Sequence, residues 1–204
     1  MKQPRHLLLA GLLALAILSP AGAAIAKVGQ PAPDFTLTDS TGREHALASY
    51  RGQIVVLEWV NPECPFVINH YDKSGNIPRL QRAATADGVV WLLINSARPG
   101  AQGDFNATQV AGWMQRTGAA PTAYLRDPRG QVGRGYHART TPHLFIIDDR
   151  GTLVYAGGID SIRSSRTEDI PKAVNYVAEA LKDLKSGQPV RTPQSQPYGC
   201  GIKY

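Results

Sequence analysis

Apolar residues in this chain gather in short unbroken runs separated by polar turns. Ile54-Val55-Val56-Leu57 leads into Glu58-Trp59, Val89 to Ile94 forms a second run, and Leu144-Phe145-Ile146-Ile147 a third. Runs of this length without alternation predict strands buried on both faces. Phe35-Thr36-Leu37-Thr38 alternates at period two instead. Asp39 to Gly42 reads as a turn and Glu44 to Leu47 as a returning strand, so a hairpin is expected. Phe66 to about Ala86 has helical character, broken at Ser74-Gly75-Asn76 and at Pro78. Asn106 to Arg116 predicts a helix with Asn106 as N-cap and Ala107, Val110, Ala111 and Met114 on one face. Gln131 to Ala138 reads as a short helix. Pro171 to Lys185 predicts an amphipathic helix with Val174, Val177, Ala178, Leu181 and Leu184 inward.

Strands alternate with helices in the first half, which requires crossovers and a parallel pair. The Leu144–Ala156 segment reads as an antiparallel hairpin. The expected fold class is therefore α/β, with a central mixed sheet flanked by helices. Ser186-Gly187 is followed by a polar, Pro-containing tail. The expected division is a leader over 1–26, one domain over 27–187 and an extended C-terminal tail over 188–204.

The leader has a basic start, an apolar run from His6 to Leu18 and a small-x-small Ala24-Ile25-Ala26. That is the pattern of a secretory signal peptide. Export to the periplasm or the outside is expected, with no stable membrane anchor, because no second long apolar run follows. The whole chain carries a formal +6, and the basic residues are scattered. Nothing in that pattern calls for nucleic acid.

Composition becomes informative at cysteine. There are two, Cys64 and Cys200, 136 positions apart. Cys64 follows the first buried strand in Glu58-Trp59-Val60-Asn61-Pro62-Glu63-Cys64-Pro65-Phe66. A thiol entering a helix there meets unpaired backbone N–H groups that favour the reactive thiolate. Cys200 sits in Tyr198-Gly199-Cys200-Gly201. An oxidising compartment permits a disulfide. By spacing alone Cys200 can be a redox partner of Cys64, a staple for the tail, or an intermolecular link. Thr140-Thr141-Pro142-His143 precedes the third apolar run. A Pro directly before a buried strand is either a trans Pro at an edge or a cis Pro shaping a surface. Cys64 with His70 or His143 does not supply a four-ligand set by spacing, so no metal is expected.

Four segments in order resemble the thioredoxin superfamily, through its redoxin and thiol-specific-antioxidant branch. They are Val28-Gly29-Gln30-Pro31-Ala32-Pro33-Asp34-Phe35, the strand into Asn61-Pro62-Glu63-Cys64-Pro65-Phe66, Thr141-Pro142 with its following strand, and the ending Pro197-Tyr198-Gly199-Cys200-Gly201-Ile202-Lys203-Tyr204. The resemblance implies a thioredoxin fold and thiol–disulfide chemistry. Cys64 is the implied reacting thiol and Cys200 its resolving partner. Asn61 lies beside the thiol, and Thr141 and Pro142 present a backbone edge to substrate. A protein disulfide or a peroxide is the implied substrate, with a thiol electron donor and no cofactor.

The departures are specific. The first cysteine of the thioredoxin Cys-x-x-Cys falls on Asn61. In the peroxiredoxin pattern Pro-x-x-x-Thr-x-x-Cys, Thr falls on Asn61 and Pro on Leu57, and the active-site Arg position is held by Pro142. A non-catalytic module with a structural Cys64–Cys200 bridge is the alternative expectation.

Overall fold

A computed structural model describes residues 25–204. All but the last two residues of the expected leader lie outside the described residues. The strands are β1 (Thr36–Asp39), β2 (Glu44–Ala46), β3 (Val55–Trp59), β4 (Val90–Asn95), β5 (Ala123–Arg126), β6 (Thr140–Thr141), β7 (His143–Ile147), β8 (Leu153–Gly157) and β9 (Cys200–Gly201). The α-helices are α1 (Pro65–Ile68), α2 (Asn76–Ala86), α3 (Ala107–Thr117), α4 (Gln131–Gly135) and α5 (Tyr176–Lys185). Seven strands form one sheet in the order β2-β1-β5-β4-β3-β7-β8, and β6 pairs with β9 apart from it. β3 runs parallel to β4, and β4 to β5, while β7 is antiparallel to both β3 and β8. The mixed sheet expected from the apolar runs is present.

The central strands are buried at every residue because both faces are covered. On one face Val56, Trp91, Leu93, Leu144 and Ile146 pack with Ile77 of α2, Val110 and Trp113 of α3, and Val177 and Leu181 of α5. On the other, Leu57, Trp59, Leu92, Ile94, Leu125 and Phe145 meet Phe35, Leu47, Tyr136 and Ala138. Trp59, Trp91 and Trp113 are among the largest fully buried side chains. Truncating any one to Ala is worth about 3–5 kcal/mol.

Three element predictions need correction. The helix expected over Pro171 to Lys185 begins at Tyr176, after a 3₁₀ turn over Thr167–Lys172. The Asn175 side chain caps it by accepting from Ala178 N–H at 2.9 Å. Val174 therefore lies outside the helix and is 45% exposed, while Ala180 takes an inward place. In α3 the inward pair is Val110 and Trp113; Ala107 and Ala111 are exposed. The stretch after Cys64 breaks at Ser74-Gly75 as the sequence predicts, but Pro78 lies within α2 without interrupting it. α1 runs directly into a π-helical turn over Asn69–Lys73, and Gly75, in the left-handed region at φ 60°, separates this from α2. Asn106 caps α3 as expected, with Gln109 completing a reciprocal capping box.

Candidate active site

β3 ends at Trp59, and Val60 N–H still reaches Ile94 carbonyl at 3.0 Å. The chain then turns tightly. Cys64 N–H closes on Asn61 carbonyl at 3.0 Å, and Cys64 carbonyl accepts from Ile68 N–H at 2.8 Å. Pro65 at the first helical position is pre-set for this start. Cys64 is therefore the N-cap of α1, as its position after a buried strand predicts.

Asn61 is buried and holds the turn. Its Oδ1 accepts from Glu63 N–H at 2.9 Å, and its Nδ2 donates to Gln102 carbonyl at 3.3 Å. Glu63 reaches the same loop by accepting from Gly103 N–H at 2.6 Å. A Cβ at Gly103 would collide with the Asn61 side chain. Asn61 thus spends its amide on the loop over 102–103, which fixes the turn.

The Thr141–Pro142 peptide bond is cis. Thr141 carbonyl accepts from the Cys64 thiol at 3.0 Å. β9 then lies antiparallel on β6, with Cys200 in register opposite Thr141 and Gly201 opposite Thr140. This register sets Cys200 beside the Cys64 thiol, which Thr141 carbonyl already binds. Cys64, Cys200, Thr141 and Pro142 are thus brought together from three separate stretches, with Asn61 at the start of the same turn as Cys64. Both cysteines are free thiols; Cys64 is 0% exposed and Cys200 partly exposed. Burial, reinforced by the neighbouring Cys64, pushes the Cys200 thiol up to about 12.

The tail is seated along its whole course. Arg191 pairs with Asp183 of α5, and Ser195 N–H donates to Ala156 carbonyl at 3.2 Å. Ser195 Oγ lies 2.7 Å from Tyr155 Oη. Ile202 N–H donates to Arg139 carbonyl at 3.1 Å, and Tyr204 Oη to Ala138 carbonyl at 2.8 Å. Gly199 passes so close to Thr141 that a Cβ would collide with its carbonyl oxygen, and its φ of 132° suits glycine.

Tyr198 is the central anchor. Its ring packs edge-on against Phe66 at 5.8 Å. Its hydroxyl donates to Asp160 Oδ1 at 2.7 Å and receives His70 Nε2–H at 3.2 Å. Asn76 Nδ2 donates to His70 Nδ1 at 3.0 Å, which assigns the proton to Nε2. The chain Asn76, His70, Tyr198, Asp160 is thus a one-way run of donors. Burial pushes His70 down to about 4, so it is neutral, and raises Asp160.

A second buried polar group lies under the turn. Glu58 is wholly buried in β3, where the sequence reads as an apolar run. It accepts from Tyr71 Oη at 2.8 Å, Trp91 Nε1 at 2.8 Å and Gln81 Nε2 at 3.3 Å. Desolvation pushes its carboxyl up to about 7 despite these three donors. Glu58, Asp160 and Tyr198 carry no motif of their own in the sequence. An acid inside an apolar strand was the one available signal, and it was present at Glu58. His143 is buried against Phe145 with ring centroids 4.4 Å apart, and its Nδ1 accepts from Arg139 N–H at 3.3 Å. Trp59 donates to Ser96 Oγ at 3.0 Å and packs in the core. Among the described residues, no three His, Cys, Asp or Glu side chains are grouped to hold a metal ion. No described helix is long and apolar enough to cross a membrane.

The model of the AhpC/TSA family matches residues 28–156. The thiol-disulfide oxidoreductase ResA of Geobacillus thermodenitrificans is 32% identical over 133 residues, which cover 62% of this chain and 66% of that protein. The chain thus spans just under two thirds of this relative's length. Among solved structures, an uncharacterized conserved protein from Geobacillus kaustophilus superposes with a TM-score of 0.74 at 27% identity, over 88% of this chain and 93% of that one. A hypothetical protein from Sinorhizobium meliloti 1021 gives 0.73 at 25% identity, over 87% and 94%. A chain from Chlorobium tepidum assigned as a thiol:disulfide interchange protein DsbE gives 0.51 at 24% identity, over 64% and 84%, a likeness of fold.

Proposed function

Because this chain belongs to the AhpC/TSA family and has a thioredoxin-like fold, we propose that it is a thiol–disulfide oxidoreductase whose redox pair is Cys64 and Cys200. The observation that carries the reading is the register of β9 on β6, which sets Cys200 opposite Thr141, whose carbonyl already binds the Cys64 thiol. A second sulfur thereby stands beside the first, although the turn itself has Asn61 where a second cysteine could sit. In the oxidised form the two sulfurs share a disulfide. In the reduced form each holds a proton, and the pair has taken two electrons from a partner dithiol. The partners are protein thiols or disulfides and a thiol electron donor. The resemblance to a named thiol-disulfide oxidoreductase supports this class.

Thiol–disulfide exchange is the activity, and peroxide reduction is slow. Asn61, at the position where a hydroxyl would polarise a peroxide, has its amide committed to Gln102 and Glu63. Pro142 holds the place of the guanidinium. Each preorganised donor at a developing charge is typically worth about 2.7–4 kcal/mol. The leader over 1–26 sends the domain to an oxidising compartment, periplasmic or external, where such a pair cycles.

The test is redox titration of the full chain against a glutathione buffer, read by non-reducing peptide mapping. A Cys64–Cys200 bridge is expected, with two-electron behaviour. Cys64→Ser and Cys200→Ser should each abolish reduction of a protein disulfide such as insulin. Turnover by Cys64→Ser at the wild-type rate would sink the assignment. A bridge that forms without any exchange activity would establish the structural-staple alternative instead.

A further inference from the structure

The two sulfurs are not equally reachable. Cys64 is 0% exposed and belongs to the apolar cluster containing Val60, Val67 and Tyr198. The Thr141 carbonyl and the Cys200 thiol occupy its polar side. Cys200 retains solvent exposure. The backbone edge of Thr140 and Thr141 is filled by Cys200 and Gly201, so no extended client can add a strand there while the tail is seated. Ring packing and two hydrogen bonds at Tyr198, and the close passage of Gly199 over Thr141, keep it seated.

Resting on the reading of these cysteines as a redox pair, we infer that Cys200 is the sulfur that meets the client, and that Cys64 is the buried leaving group. A client thiolate must approach a disulfide sulfur in line with the S–S bond, so access decides which sulfur is attacked. The client sulfur bonds to Cys200 Sγ. The Cys64–Cys200 bond breaks, and its electron pair departs with Cys64, which takes up a proton. A second client thiolate then attacks the client sulfur of the mixed disulfide. Cys200 leaves and is protonated, and the client departs oxidised by two electrons. A low-molecular-weight disulfide, by the reverse exchange, restores the bridge. The tail is therefore the client-facing arm of the site, and the active-site turn holds the resolving thiol.

The experiment begins with the full chain bridged by oxidised glutathione and verified by a non-reducing peptide map. Reduced glutathione is added, the reaction is quenched with acid within its first phase, and the adduct is located by mass spectrometry. The expected adduct lies on Cys200, in excess over Cys64 by about tenfold or more. The same bridged chain in denaturant should give adducts on both cysteines, because the bias comes from the fold. Adduct mainly on Cys64 in the folded protein overturns the inference and leaves the redox pair standing. An equal bias in denaturant also overturns it, since the seat of the tail would then not be the cause. Failure to form the bridge removes the redox pair itself, and this inference with it.

Discussion

The hairpin of β1 and β2 and the tail from 188 onward both add chain to the body of the domain, and they are held by opposite means. The hairpin extends the sheet edge by ladder pairing, three register pairs within itself and two onto β5. Its turn is closed locally, with Asp39 accepting from Thr41, Arg43 and His45. The tail makes two register pairs on β6, Thr140 with Gly201 and Thr141 with Cys200, and one isolated bridge from Gln194 to Ala156 of β8. It relies on single side chains, each reaching a different part of the body: Arg191 to α5, Ser195 to β8, Tyr198 to the His70–Asp160 cluster, and Tyr204 to the chain after α4. Ladder pairing spreads stability over many equivalent bonds. Anchoring concentrates it, so one substitution can release a long segment.

The sharpest break of this contrast is Tyr198→Ala. It removes the ring from Phe66 and takes one hydrogen-bond partner each from Asp160 and His70. Loss of a buried aromatic is worth about 3–5 kcal/mol, felt here as local release. The alkylation rate of Cys64 in the reduced protein should rise about a hundredfold or more, while amide exchange in the hairpin stays unchanged. Unchanged Cys64 alkylation would show that the tail is not anchored at that side chain.

Glu58 belongs to neither region and supplies a baseline. Its carboxyl is raised from 4.5 to about 7 in the folded protein, so between those values the folded state binds more protons than the unfolded state. Stability must fall as pH rises through that window, and above about 7 the cost of a buried carboxylate is fully present. Glu58→Gln should flatten the pH 4.5–7 slope seen by denaturant titration, a difference on the order of 3 kcal/mol. The same slope in variant and wild type would refute the burial cause.

Tyr198→Phe separates the ring from its hydroxyl. The Phe66 contact survives, but buried His70 and Asp160 lose a partner, a cost of about 1–3 kcal/mol. Cys64 alkylation should quicken about tenfold, between wild type and Tyr198→Ala. A rate equal to wild type would assign all of the anchoring to the ring.

The smallest effect belongs to the hairpin. Burial alone would raise Asp39, but hydrogen bonds from Thr41, His45 and the backbone of Arg43 hold it below the ordinary 3.8. A lowered carboxyl stabilises the fold above the unfolded value and loses that contribution as pH falls below about 3.8. Asp39→Asn should cost about 1 kcal/mol at neutral pH and progressively less in acid, without affecting Cys64. A deficit that persists undiminished at low pH would remove the charge from the explanation.

The same contrast governs what could be read in advance. Strands β3, β4 and β7 and the hairpin were legible because period and burial are written in consecutive residues. Helix boundaries were less so. Val174 looks like an inward position of α5 until Asn175 is seen to cap the helix after it. Trp113 does not stand out in the sequence, because Ala107, Ala111 and Met114 offer a rival face. The cysteines, Asn61, Thr141 and Pro142 stood out from their motifs. Their convergence with Tyr198, His70 and Asp160 did not, because side-chain anchors between distant stretches leave no periodic trace. Glu58 broke an apolar run, yet its three donors come from elements far along the chain.

The distance along the chain between Cys64 and Cys200 has a consequence of its own. A bond between them would enclose β4 through β8 and all five α-helices in a covalent ring. In the chain-entropy picture, closing a ring of that size restricts the unfolded ensemble by about 5 kcal/mol. A thermodynamic cycle then ties redox to folding: whatever the bond adds to the stability of the domain, the fold adds to the stability of the bond. Reductant and denaturant would act on this protein as partners, each lowering the amount of the other needed to undo it.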